Sequence, residues 1–127
     1  MAKDKTMSFS RSGGEWEIDR EKAKDHVSSF ARNSGNWTMV FQIGTPNGRY
    51  EFTQDPFWVK EENGDGECPS SFDCPNEFEV SDQGKTRLKV QNKNDTRADY
   101  RYQLNVWDRI DQKHVPIDPI LSNGGHD

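Results

Sequence analysis

The residues best equipped for chemistry lie in one acidic segment near the middle of the chain. Its carboxylates, separated by glycine and asparagine, are Glu61, Glu62, Asp65, Glu67 and Asp73. Hard oxygen ligands on a flexible, glycine-containing loop suit Ca²⁺. However, the spacing does not match an EF-hand, and a solvated acidic loop that keeps the protein soluble explains the same composition. The sequence favours the solvated loop, so we predict no metal site and keep these five residues as the calcium candidate.

Two cysteines lie at the end of the same segment. Five residues separate Cys68 from Cys74, a spacing that can close a small loop through a disulfide. The alternative is a pair of free thiols in a cytosolic protein, and the sequence leaves both open. A zinc site would need two further ligands at a suitable spacing, and the sequence lacks the redox motif Cys-x-x-Cys.

The histidines do not complete any recognised catalytic or metal-binding pattern. A blue-copper site needs two histidines and a cysteine, usually with a methionine, and His114 has neither sulfur ligand near it in the sequence. No serine lies in a Gly-x-Ser-x-Gly turn. Glycosidase carboxylates cannot be selected from 22 acidic residues without geometry. The sequence therefore predicts no catalytic residues and no cofactor.

Two tryptophans are the candidates for a binding surface. Trp58 lies between Phe57 and Val59, and Trp107 follows Val106, so both occupy the polar phase of their segments. Exposed tryptophan is costly without a partner, which indicates a face that binds a carbohydrate or another protein. The alternative, which the sequence slightly favours, is that both rings cover the second side of a sandwich or pack under the N-terminal segment.

The segments that would position these residues alternate between apolar and polar residues. Residues 100–106 are the clearest case, and residues 37–43 are the best candidate for a central strand. A period of two is typical of half-buried antiparallel strands. About eight such segments at spacings of roughly 8–12 residues predict a single all-β domain, an antiparallel sandwich of about 7–9 strands. We assign it to residues 15–127 and expect residues 1–14 to be a flexible N-terminal arm, with a weak edge strand as the alternative.

Two Asp-Pro pairs are expected to interrupt this pattern, because proline has no N–H to give to a neighbouring strand. Asp55-Pro56 would separate a strand that carries Tyr50 and Phe52 from one that begins at Phe57. Asp118-Pro119 would end the last strand.

Composition and charge restrict the class of protein. The chain has 127 residues, one domain's length, and its 4 Trp, 7 Phe and 3 Tyr can build a core although only 30% of residues are hydrophobic. The net charge of -5 disfavours nucleic acid and anionic membranes as partners. No apolar run could cross a bilayer, and no apolar segment follows the charged N-terminus. We expect a cytoplasmic protein, or an extracellular one if a signal was removed or export is non-classical.

The stretch from Asp95 to Tyr102, Asp-Thr-Arg-Ala-Asp-Tyr-Arg-Tyr, resembles the approach to strand F in immunoglobulin-like domains. The resemblance implies that Tyr100 is a corner tyrosine bonded back across a turn. It also implies that Tyr102 fills the core position of the antibody cysteine and that Trp37 is the strand C tryptophan. No second cysteine lies on an earlier strand, so the resemblance implies an immunoglobulin-like sandwich outside the antibody family.

A second resemblance covers residues 36–123. Its motifs, in order, are a Trp-Thr strand, Tyr-x-Phe, Phe-x-Val, Leu-x-Val-x-Asn-x-Asn, Tyr-x-Tyr-x-Leu-x-Val and the tail Ile-Asp-Pro-Ile-x-x-Asn. This order resembles a group of small, uncharacterised bacterial β-sandwich proteins. It implies a fold and a bacterial source, and it carries no assigned activity.

The functional expectation that follows is a non-enzymatic binding or interaction module. It would act through a sheet face or an edge strand, on a protein partner or by self-association into an oligomer. The first alternative is a carbohydrate-binding accessory domain that uses Trp58 and Trp107, and the second is a small hydrolase.

Overall fold

The computed structural model describes residues 3–12, 14–19, 21–23, 26–31, 34–44, 48–62, 69–73, 77–95 and 97–123. These residues form two sheets that pack against each other, which confirms the all-β sandwich. The strands are β1 (Lys3–Ser12), β2 (Glu15–Ile18), β3 (Glu21–Lys22), β4 (Val27–Phe30), β5 (Trp37–Ile43), β6 (Tyr50–Glu61), β7 (Phe78–Gln83), β8 (Arg87–Asn92), β9 (Ala98–Asp108), β10 (Lys113–Ile117) and β11 (Ile120–Asn123).

The first sheet, sheet A, has the strand order β3-β2-β1-β5-β8-β7. As predicted, β5 is central, between β1 and β8. Within the segment expected to be an arm, Lys3–Ser12 forms β1, and its Met7 and Phe9 side chains are buried in the core. The two apolar residues at alternate positions are the signal for this strand, and flanking polar residues obscure it.

The second sheet, sheet B, is organised around the long strand β9. β6 pairs with one side of β9, while β10 and β11 follow each other along the other side, and β4 pairs with β11. Both sheets are mixed, unlike the purely antiparallel prediction: β1 is parallel to β5, and β4 is parallel to β11. Side-chain alternation is the same in either direction, so it cannot reveal strand polarity.

The core is an aromatic cluster between the two sheets. Phe41 of sheet A lies 5.6 Å from Tyr102 and 6.1 Å from Phe57 of sheet B, centroid to centroid. Tyr102 is buried, as the immunoglobulin resemblance implies for this position. Trp37 is only half-buried and packs edge-on against Phe30 near the end of the sandwich, 5.5 Å between centroids. The relationship to immunoglobulin domains stays a prediction.

The sequence predicts that the Asp55-Pro56 pair separates two strands, and this prediction was wrong. β6 is continuous, and its register to β9 shifts between Phe52 and Phe57. Phe52 and Phe57 are an odd number of residues apart, so in a regular strand they would face opposite sides of the sheet. The irregularity restores the phase and lets both rings enter the core, with Pro56 at the bulge where a strand tolerates a missing N–H.

The Asp118-Pro119 pair interrupts pairing without ending it. The carbonyl of Pro119 accepts a hydrogen bond from the N–H of Tyr102, and β11 then resumes the ladder with β9. The predicted last strand, β10, is therefore followed by another.

Candidate binding surface

The outer side of sheet B carries a surface that we name the aromatic face, made of Trp58, Trp107, His114 and Pro116. These residues come from three adjacent strands, β6, β9 and β10. His114 is the cross-strand neighbour of Trp107, and the rings of His114 and Trp58 are 6.5 Å apart, centroid to centroid. The imidazole thus lies near two indoles that are 49 positions apart in the sequence. The structure brings together the two predicted binding residues.

Two amide side chains lie beneath these rings. Asn105 is only 1% exposed although it points away from the core, and Gln103 is also buried. The Asn105 amide oxygen accepts a hydrogen bond from Gln103 Nε2 at 2.6 Å and lies 2.9 Å from His114 Nε2. The Asn105 amide nitrogen donates to the carbonyl of Asp55 at 2.7 Å, in the irregular part of β6.

This network orients the imidazole. Because the amide nitrogen of Asn105 donates to the carbonyl of Asp55, its oxygen faces His114 and accepts a hydrogen bond from the N–H of that ring. His114 therefore donates from Nε2, which fixes the tautomer and the plane of the ring. The side chain is exposed yet held in place, and a ligand need not order it on binding.

The two tryptophans differ in exposure. Trp58 is half-buried, and Trp107 is 37% exposed, which places it among the exposed large apolar side chains of the described residues. The described part of the N-terminal segment, Lys3–Ser12, does not cover either ring, because β1 belongs to sheet A and the aromatic face is on the outside of sheet B. The sequence does not identify His114, Asn105 and Gln103 as part of this surface, since polar residues in the outward phase of a strand ordinarily face water.

The strand edges of sheet B are protected in several ways. β10 carries Pro116, which has no N–H to offer to an incoming strand. At the edge of β4, the carbonyl of Ser29 accepts a hydrogen bond of 3.0 Å from Nζ of Lys5, a residue of β1. The free edge of β6 is bridged at Val59, whose N–H and carbonyl bond to Ser71 and Asp73. Edge-to-edge pairing is therefore disfavoured at these three strands.

A buried polar cluster joins the two sheets at the opposite end of β9. Asn92 of β8 and Asn123 of β11 exchange reciprocal amide hydrogen bonds of 2.8 and 2.9 Å. The carboxylate of Glu77 lies 3.5 Å from the Asn123 nitrogen and accepts from the Tyr100 hydroxyl at 3.3 Å. The other carboxylate oxygen accepts from the N–H of Asp95, so Glu77 connects the Tyr100 hydroxyl to the backbone of Asp95.

These contacts explain two motifs of the sequence. Asn92 comes from Leu-x-Val-x-Asn-x-Asn, and Asn123 ends Ile-Asp-Pro-Ile-x-x-Asn. The motifs are neighbours in space, and hydrogen bonds between their asparagines join sheet A to sheet B. The hydroxyl of Tyr100 bonds to the Glu77 carboxylate, and its role as a corner tyrosine stays a prediction.

A charged clamp closes the turn between β9 and β10. Arg49 donates two hydrogen bonds of 3.0 Å to the two oxygens of Asp108, and the N–H groups of Ile110 and Asp111 bond to the same carboxylate. The Arg49 bonds, helped by these backbone donors, lower the pKa of Asp108 to about 2. This arrangement positions the turn beside Trp107.

The structure describes only part of the acidic segment and neither cysteine. Asp65, Glu67, Cys68 and Cys74 lie outside the described residues, and so does the predicted disulfide. Of the remaining calcium candidates, Glu62 accepts a hydrogen bond from Arg101 and Asp73 accepts one from Ser71. Within the described ranges, no three His, Cys, Asp or Glu side chains are grouped as a metal site.

Neither protein-family models nor curated proteins give a match to this chain. In the part of the chain that the structure describes, no helix has the length and apolarity to span a bilayer.

Proposed function

We propose that this protein is a non-enzymatic binding module that engages a protein partner through the aromatic face. The observation that carries the proposal is the convergence of Trp58, His114 and Trp107 on one exposed surface above a buried amide network. Tryptophan is enriched among the residues that dominate binding energy at protein interfaces. Rings that are already fixed in position lose little entropy when a partner binds.

In sheet B, the protected edges of β4, β6 and β10 favour the sheet face over strand addition as the point of contact. Strand addition needs a row of free N–H and C=O groups, and the edges of β4, β6 and β10 are interrupted by Lys5, by residues 71–73 and by Pro116. The aromatic face has no comparable obstruction among the described residues. A second copy of the chain is the first partner to test.

The experiment is size exclusion coupled to light scattering, with and without a thiol reductant. We expect a discrete oligomer with a mass above 14.7 kDa, the mass of one chain. Trp107→Ala should shift it to monomer, whereas Val27→Ala, which removes an exposed apolar side chain on β4, should not. Loss of the oligomer on reduction alone would instead locate the contact at Cys68 or Cys74.

A monomer under all conditions would refute self-association. The proposal of a different protein partner would then be tested by comparing capture by wild type and by Trp107→Ala, with Val27→Ala as the matched control. Equal capture by all three proteins would refute the aromatic face as the contact.

Carbohydrate binding is the second candidate, and two indoles near an exposed imidazole on one sheet face favour it. Indole faces stack on sugar rings, while the exposed His114 offers a polar group for hydroxyls. A glycan screen read by tryptophan fluorescence tests it. A spectral change that Trp58→Ala and Trp107→Ala both abolish would support a sugar ligand, and the lack of any change would reject it.

A further inference from the structure

A groove of about 210 Å³ opens at the side of the sandwich, where β2 and β3 of sheet A meet the end of β10. Its lining residues are Glu15, Trp16, Lys22, Ala23, Pro116, Ile117 and Asp118. It shares only Pro116 with the aromatic face, so it is a separate site. Its volume lies below the usual range for drug-sized ligands, so its occupant should be small.

The apolar part of the groove has a rigid wall. Trp16 packs edge-on against Tyr50, with 4.9 Å between ring centroids, and Ala23 and Ile117 are buried beside the opening. Trp16 is itself half-buried, so part of its ring is available. Among the side chains of Trp, Tyr and Phe, the indole of Trp attracts cations most strongly.

The charged part of the groove is acidic. Two carboxylates, Glu15 and Asp118, oppose one ammonium, Lys22, which already pairs with Glu15 at 3.6 Å. A carboxylate has several lone-pair positions and can accept more than one donor, so Asp118 can bind a ligand in addition to its existing contacts. The charge of the lining thus complements a cation and opposes an anion.

We propose that this groove binds a small organic ammonium ion. The ammonium lies beside the carboxylate of Asp118, and the short carbon chain packs against Trp16, Ala23 and Ile117. Selectivity for a cation comes from Asp118, Glu15 and the indole together, while the groove size restricts the length of the chain.

The test uses n-butylammonium, with 1-butanol and butanoate as probes of the same chain length. In ¹⁵N-labelled protein, the indole N–H resonance of Trp16, assigned through Trp16→Phe, should shift saturably with n-butylammonium. The neutral alcohol should bind more weakly, and the anion should give no shift. Equal binding of all three probes, or no saturable shift with n-butylammonium, would overturn the proposal.

Charge variants supply the second measurement. Glu15→Gln and Asp118→Asn should each weaken n-butylammonium binding about two- to fivefold, the effect of one solvent-accessible charge pair. Lys22→Gln, which removes the competing cation, should tighten it. If Asp118→Asn fails to fold, the two exposed positions still decide, because opposite changes are expected at Glu15 and Lys22. Changes of the same sign at both would refute a cation site.

Discussion

The asparagine pair between the sheets gives the most exacting test of how this sandwich is held together. Asn123 is 0% exposed, and its side chain makes two hydrogen bonds with Asn92 and a longer contact with Glu77. In Asn123→Ala, the buried amide nitrogen of Asn92 loses its acceptor. A buried polar group without a partner costs about 1–3 kcal/mol, and the small cavity adds roughly 1 kcal/mol.

We therefore expect Asn123→Ala to lower the free energy of unfolding by about 2–4 kcal/mol. For a domain of this size, that corresponds to a decrease in Tm of roughly 8–15 °C. Urea unfolding followed by tryptophan fluorescence, together with thermal melts, measures both quantities. Asn36→Ala is the matched control, since Asn36 is exposed and its loss should cost less than about 0.5 kcal/mol.

The double variant Asn92→Ala, Asn123→Ala separates the pair from its surroundings. Removing both amides leaves neither orphaned, so the double variant should be less destabilised than the sum of the two single variants, by about 1–3 kcal/mol. Additive costs, or a cost for Asn123→Ala as small as that of the control, would refute the reciprocal bond as the link between the sheets.

Three further predictions follow from the same structure. Because Arg49 and backbone donors hold the pKa of Asp108 at about 2, below its ordinary 3.8, this carboxylate should stabilise the fold above about pH 4. That contribution should vanish as pH falls towards 2, so Asp108→Asn should flatten this part of a urea-midpoint profile, and an unchanged profile would contradict the clamp. Phe9→Ala should lower the free energy of unfolding, measured with urea, by about 3–5 kcal/mol, whereas Ser10→Ala, at the exposed neighbouring position, should lower it by under about 0.5 kcal/mol. Equal, small decreases would show that β1 does not pack into the core and would support a flexible arm. Pro116→Thr adds an N–H to the edge of β10 and should raise the mass measured by light scattering at a fixed concentration, and an unchanged mass would show that proline does not protect this edge.

The positions of several strands could be predicted from the sequence. Residues 37–43 and 100–106 alternate so regularly that their core-facing phase and the central place of β5 could be predicted. The outward phase of Trp58 and Trp107 was readable for the same reason. Side-chain alternation is a local property of an extended backbone, so it does not depend on how the rest of the chain folds.

Only the tertiary structure decided which strands are neighbours and what the polar residues do. Alternation carries no polarity, so the parallel pairing of β1 with β5 and the place of Lys3–Ser12 in sheet A had no local signal strong enough to reveal them. The burial of Asn105 depends on rings from β6 and β10 that cross above it, and Asn92 meets Asn123 only because β8 and β11 end at the same place. A polar side chain is buried when distant segments supply both its cover and its hydrogen-bond partners, and its own neighbours in the chain encode neither.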